Sequence, residues 1–187
     1  MRLITRRVAA LVAIGGTLAL AAAGAAAQAF PSKPLKLVVP FSAGSGTDIA
    51  ARAVGESLAA ALGQPVVVEN RPGAGGTIAA AAVARGEADG HTILVPSSGH
   101  AANPSIYPNL SYDTLKDLTG VTPLVAMPNV LVVNPSRGWK SVADLVAAAK
   151  AKPGALNYAS AGVGSATHFN AEKFRLQAGL DAVHVPF

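Results

Sequence analysis

Two short stretches carry residue types and spacing suited to chemistry. Phe41-Ser42-Ala43-Gly44-Ser45-Gly46-Thr47-Asp48 joins an apolar run to a helical pattern. Ser160-Ala161-Gly162-Val163-Gly164-Ser165-Ala166-Thr167 does the same later in the chain. Each reads Ser-Ala-Gly-x-Gly, followed by hydroxyl residues where a helix is expected to start. The first turn of a helix leaves N–H groups without partners, and the helix dipole adds partial positive charge there. Glycine lets the backbone approach a ligand closely, and Ser and Thr hydroxyls supply donors that rotate to fit. Such turns form sites for anions, so the two stretches read as halves of an anion clamp. The same residues also close tight turns and cap helices, and either loop alone is compatible with capping and no ligand. A nucleotide phosphate fits poorly. Gly44-x-Gly46 has Ile49 where a dinucleotide fingerprint has its third glycine, and neither loop has the Gly-Lys-Ser/Thr of a P-loop.

Other chemistry finds less support. The four histidines, His91, His100, His168 and His184, show no metal-ligand spacing, and there is no Gly-x-Ser-x-Gly nucleophile elbow. Ser165 with His168, oriented by Asp48, is the one arrangement that would suit an exported hydrolase. His168 is expected instead at the rim of the site on its helix. His91 and His184 lie in strand patterns and read as structural. His100 follows Ser97-Ser98-Gly99 at the end of a strand, on the sheet edge that carries the first loop, which makes it a candidate ligand contact. Arg71, beside Gly73-Ala74-Gly75-Gly76, could pair with a carboxylate, but it could equally brace its own loop or pair with Glu69, and bracing is favoured. Trp139 and Tyr158 read as packing aromatics. The chain is expected not to be an enzyme and to need no metal or cofactor.

The elements that must position these loops follow from periodicity. Leu35–Val39 reads as a buried strand ended by Pro40. Thr47 or Asp48 is placed as the cap of a helix that runs to about Leu62, where Gly63 stops it. Pro65–Glu69 and His91–Val95 read as further strands, with an Ala-rich helix from Thr77 to Arg85 between them. Strand–helix–strand–helix–strand order implies a parallel sheet, and ligands collect at the carboxyl ends of such strands. The stretch from Asn103 to Leu118 reads as irregular. Val121–Ala126 and Asn129–Val133 read as two extended runs. Ser141 and Asp144 form a capping-box pattern for a helix from Val142 to Lys150. Leu156–Ala159 reads as a strand, a helix is expected from about Ala166 to Ala178, and Asp181–Phe187 starts another strand.

Composition bounds the setting. The chain has 187 residues, half of them apolar, and no cysteine, which excludes a disulfide scaffold, a thiolate metal site and a catalytic thiol. Arg2, Arg6 and Arg7, the apolar run from Val8 to Leu20 and Ala27-Gln28-Ala29 read as a secretory signal peptide over residues 1–29, with Phe30 as the first mature residue; an uncleaved membrane anchor over the uncharged run Val8–Ala27 is the alternative, and Sec or twin-arginine export stays open. Three of the 15 basic residues and none of the 10 acidic ones precede Phe30, which leaves the remainder at only +2 with no basic cluster. No nucleic-acid partner is expected.

Five ordered segments then carry a resemblance: PSKPLKLVVPFSAGSGTD, LGQPVVVENRPGAGG, ADGHTILVPSSGHAANPSIYPNLSYDTLKDL, PNVLVVNPS and LNYASAGVGSATH. Together they resemble the Bug-type receptors, the extracytoplasmic solute-binding proteins of tripartite tricarboxylate transporters. The resemblance implies an α/β, periplasmic-binding-protein-like Venus flytrap of two lobes. It places lobe 1 over residues 30–123 and part of lobe 2 over 124–187. It implies a periplasmic receptor that takes a di- or tricarboxylate or an aromatic acid and hands it to membrane permease subunits. Carried onto this chain, it implies ligand contacts at Ser42, Ala43, Gly44, Gly46, Thr47 and Asp48, and at Ala161, Gly162, Ser165 and Thr167. Ser98 and His100 follow them. Members of the family run well beyond this length, so the second lobe is expected to be truncated, and a non-binding remnant is the alternative reading.

Overall fold

The computed structural model describes residues 30–187. The signal peptide expected over residues 1–29 lies outside them. Strand β1 (Leu35–Val39) is central in a three-stranded sheet of order β2-β1-β3, with β2 (Val66–Asn70) and β3 (Thr92–Leu94) both parallel to it. Leu37 stands opposite Val68 on one side and Ile93 on the other. A central parallel strand is covered on both faces, which calls for a continuous apolar run rather than alternation. Leu35, Leu37, Val38 and Val39 meet that demand and are each at most 2% exposed.

Helix α1 (Gly46–Leu62) and helix α2 (Thr77–Ala84) connect these strands. Gly55 sits where α1 crosses the sheet. A Cβ there would lie 3.3 Å from Val66 Cγ1 and 3.5 Å from Leu37 Cδ1, so the missing side chain lets helix and sheet approach closely. Ala79 and Ala80 do the same for α2, being fully buried. Leu37, Val39, Ala51 and Val95 form the core, with Phe41, Val66, Val68 and Ile93 packed against it. Burial of side chains such as Leu37 and Val39 stabilises by about 1.5–3 kcal/mol each.

A second, two-stranded sheet pairs β4 (Leu156–Ser160) in parallel with β5 (Ala182–Pro186). Between the sheets in sequence come a one-turn helix α3 (Asn103–Ile106), with Pro104 in its first turn, and helix α4 (Val142–Ala151). Helix α5 (Ala166–Ala178) connects β4 to β5. Ser141 and Asp144 form the expected capping box at the start of α4. Among the described residues, no helix is long and apolar enough to cross a membrane.

One expectation needs correction, and another gains a limit. The cap of α1 is Ser45, not Thr47 or Asp48. Ser45 has extended backbone angles and its hydroxyl receives the Asp48 N–H, whereas Thr47 and Asp48 already lie inside the helix. The runs Val121–Ala126 and Asn129–Val133 belong to neither sheet. Their β-branched residues signal extended backbone, but a ladder also needs a neighbour. None pairs with them among the described residues, and Val130 and Val132 are 76% and 79% exposed.

Candidate functional site

The loop after β1 is built around Gly44, whose φ of 81° is in the left-handed region that glycine adopts without strain. Ser45 follows as the helix cap, and its own N–H donates to the Ser42 carbonyl at 3.1 Å. Asp48 braces this turn from within. Its Oδ2 receives the Gly44 N–H at 2.9 Å and Arg52 Nε at 3.0 Å, and its Oδ1 receives Asn70 Nδ2 at 2.9 Å. The Arg52 guanidinium first, then the Gly44 N–H and the Asn70 amide, hold its carboxyl down at about 2. Arg52 also balances its charge through an ion pair of 3.0 Å. The Asn70 amide extends the brace to the Phe41 carbonyl. The loop therefore presents no uncompensated negative charge to an anion. Gly46 and Thr47, as the first two residues of the helix, leave their N–H groups without intrahelical acceptors.

The loop after β4 repeats this construction. Gly164 has φ 84°, Ser165 caps α5 by receiving the His168 N–H, and the Ser165 N–H donates to the Gly162 carbonyl at 3.1 Å. The Gly164 N–H donates to His168 Nδ1 at 3.2 Å, as the Gly44 N–H does to Asp48. Gly44 thus matches Gly164, Ser45 matches Ser165 and Asp48 matches His168, a constant offset of 120 residues. This corrects the alignment of the two Ser-Ala-Gly-x-Gly strings by two positions. Which glycine turns left-handed just before the cap sets the match, and the string alone does not reveal that. Thr167 serves the loop internally, since its Oγ1 receives the Ala161 N–H and lies 3.0 Å from Ser165 Oγ.

Histidine rings brace the second loop at both ends. His184 Nε2 lies 2.7 Å from Ser160 Oγ, and its ring stacks on His168 at 4.2 Å and on Tyr158 at 4.9 Å. Burial, then the neighbouring His168, pushes the pKa of His184 down and favours the neutral ring. The Tyr158 hydroxyl bonds Glu172, which forms an ion pair with Arg175. The Ser165–His168 hydrolase arrangement is not assembled. Ser165 Oγ meets the His168 backbone N–H, while the His168 ring is turned to Gly164. Among the described residues, no group of three or more His, Cys, Asp or Glu could hold a metal ion.

The other expected residues divide. Ser42, Ala43, Gly44 and Gly46 are exposed on the first loop, whereas Thr47 and Asp48 are buried beneath it. Ala161 and Thr167 are exposed, Gly162 is half-buried and Ser165 is buried. Ser98 is exposed, and His100 stacks on Tyr112 at 6.0 Å, where burial lowers its pKa. Arg71 pairs with Glu69, one of the alternatives left open for it.

The segment Met127-Pro128-Asn129 brings the two helix starts together. A Cβ on Gly46 would lie 3.0 Å from Met127 Sδ, and Asn129 Nδ2 donates to the Ala166 carbonyl at 3.3 Å. Met127 and Asn129 are two residues apart, a span of at most about 7 Å. The second loop also packs on the first sheet's turns, with Tyr107 Oη donating to the Val163 carbonyl at 2.8 Å. Met127, Asn129 and Tyr107 were not legible as site residues, because none lies in a glycine- or hydroxyl-rich motif. An open groove of about 600 Å³ beside Tyr107 and Tyr112 has no Gly-Ser loop residue in its lining.

Comparison with known proteins bears on what such paired loops belong to. The model of the tripartite tricarboxylate transporter family receptor matches residues 50–187. Protein BugT of Bordetella pertussis is 40% identical over 168 residues, which are 89% of this chain and 52% of BugT. MatC of Rhodopseudomonas palustris, solved with bound malate, superposes with a TM-score of 0.79 at 36% identity, covering 84% of this chain and 54% of that one. R. palustris Rpa4515, solved with adipate, gives 0.76 at 37% identity, covering 84% and 53%. The chain spans about half the length of the curated relatives it matches. Its fold is the α/β periplasmic-binding-protein-like one of these structures, and with the family match running from α1 to the last residue, the chain belongs to the tripartite tricarboxylate transporter receptor family.

Proposed function

We propose that this chain is a periplasmic receptor for small dicarboxylates, in which each of the two Gly-Ser loops receives an anionic group of one ligand. The observation that carries the reading is the matched construction of the two helix starts on either side of Met127-Pro128-Asn129. Each offers first-turn N–H groups and exposed small residues, and each has its negative or polar brace turned inward. Ser42, Ala43, Gly44 and Gly46 line the first half. Ala161, Gly162 and Thr167 line the second, with Ser98 and His100 beside them. Thr47, Asp48 and Ser165 act from beneath by shaping the turns. Residues 30–123 and 124–187 are the parts contributed to two lobes, behind an export signal over residues 1–29. Membrane permease subunits are the partners that take the ligand on. Malate and adipate, bound by two structural relatives, are the first ligands to try.

A thermal melt with and without malate, adipate and citrate tests this. A ligand that binds only the folded state raises the midpoint, by about 2.7 kcal/mol of stabilisation at a hundredfold excess over Kd. An upward shift with one of these acids, absent with a neutral amide analogue, is the expected result. A cooperative melt that no acid moves would refute the reading.

A further inference from the structure

We infer that a seam formed by Gly75, Gly99, Asn103 and Tyr107 positions the second loop, and so sets the affinity of the clamp. This rests on the dicarboxylate reading for its functional consequence, while the seam itself stands on geometry. A Cβ at Gly99 would lie 2.4 Å from the Gly164 carbonyl, 2.8 Å from the Ala166 nitrogen and 2.9 Å from the Ser165 carbonyl carbon. Real Cβ atoms do not approach backbone so closely, so any side chain there displaces the cap of α5. Gly75, at φ 60°, lies equally close, with a Cβ falling 2.4 Å from the Val163 carbonyl. From the second loop's side, a Cβ on Gly164 would meet Tyr107 Cε2 at 3.0 Å and Asn103 Oδ1 at 3.1 Å. Backbone thus meets backbone at Gly75 and Gly99, while the third glycine, Gly164, leaves room for the Tyr107 ring and the Asn103 amide.

Two polar side chains fix the register of this contact. Tyr107 Oη donates to the Val163 carbonyl at 2.8 Å. Asn103 is fully buried, and its Nδ2 reaches the Gly75 carbonyl at 3.4 Å. The residues concerned lie in the turns after β2 and β3 and in α3, at the carboxyl edge of the first sheet. The seam therefore ties the second loop to the same edge that carries the first.

The test compares the parent chain with Gly99→Ala, Tyr107→Phe and, as control, Gly120→Ala, whose added Cβ would meet nothing within 4 Å. Amide hydrogen exchange is followed in peptides covering 160–168, without ligand. Exchange there is expected to speed at least tenfold in Gly99→Ala and severalfold in Tyr107→Phe, with peptides over 35–39 and 92–94 unchanged. Equal speeding in both regions would mean general destabilisation and would overturn the proposal, as would parent-like exchange in Tyr107→Phe. That variant removes one oxygen and keeps the test decisive should Gly99→Ala fail to fold. Malate titration forms the second arm, with at least tenfold weaker binding expected in both seam variants and none lost in Gly120→Ala. Parent-like malate binding in the seam variants would overturn the claim on affinity. If the parent binds malate, adipate and citrate not at all, the dicarboxylate reading and the claim on affinity both fall, and the exchange arm alone decides whether the seam positions the loop.

Discussion

Replacing Ser165 separates capping from ligand binding. Ser165 is itself buried; its Oγ receives the His168 N–H at 3.2 Å and lies 3.0 Å from Thr167 Oγ1. Ser165→Ala removes the cap and is expected to cost about 1 kcal/mol, within the range of about 0.5–2 for such losses. For a domain of this size that lowers the midpoint by about 2–4 °C. Ser165→Asn and Ser165→Asp cap about as well as serine, have nearly equal size, and differ in charge. A ligand carboxylate on the Ala166 and Thr167 N–H groups would lie roughly 5 Å from the aspartate. At an effective dielectric near 20 that repulsion is about 3 kcal/mol, or roughly a hundredfold in affinity. Urea melts with calorimetric titration of malate give both numbers. The expected order of malate affinity is parent, then Asn, with Asp about a hundredfold below Asn at matched stability. An aspartate variant that binds malate as tightly as the asparagine one would refute the placement of a ligand carboxylate at the start of α5. A serine nucleophile would instead make Asn and Asp equally inactive.

Three further outcomes follow from the same geometry. The carboxyl of Asp48 is held at about 2 in the folded chain against an ordinary 3.8, so its contribution is complete above 3.8 and disappears as pH falls towards 2; Asp48→Asn is expected to be less stable than the parent at pH 7 and to lose less between pH 4 and 2, and parallel curves would contradict its bracing role. Burial first, then the neighbouring His168, lowers the pKa of His184 below 6.5, so the unfolded chain takes up the proton first and stability declines as pH drops through that range; His184→Gln should flatten this decline in melts from pH 7 to 5, and an unchanged slope would assign it elsewhere. Leu37→Ala removes the central contact of the β1 core and is expected to cost about 2–5 kcal/mol, read as a lower urea midpoint at unchanged slope; a loss under about 1 kcal/mol would mean the first sheet is not a cooperative core.

Much of the architecture is local and was legible. An apolar run ended by proline makes β1, Gly63 in left-handed conformation stops α1, and Ser141 with Asp144 starts α4. Each depends on residues within a few positions of one another, which sequence keeps together. The Gly-Ser turns were legible for the same reason, although the cap of α1 fell at Ser45 rather than at Thr47 or Asp48, since several adjacent hydroxyl and acidic residues can each cap a helix. Whether the extended runs around Val121–Val133 join a sheet was not legible, because a strand is defined by its neighbour, and β-branched composition says nothing of whether one is present.

By itself the sequence determined most of the elements, the two Gly-Ser turns and the absence of thiol chemistry, because backbone conformation and helix capping are settled over a few residues. Only the tertiary structure decided that Gly44 and Gly164 are the matched pair, that Asp48 and His168 are braces turned inward, and that Met127 and Asn129 touch both helix starts. Gly75 and Gly99 make the same point most sharply. Neither looks different from any other turn glycine along the chain, and each is required by a carbonyl that approaches from residues far away in sequence but adjacent in space.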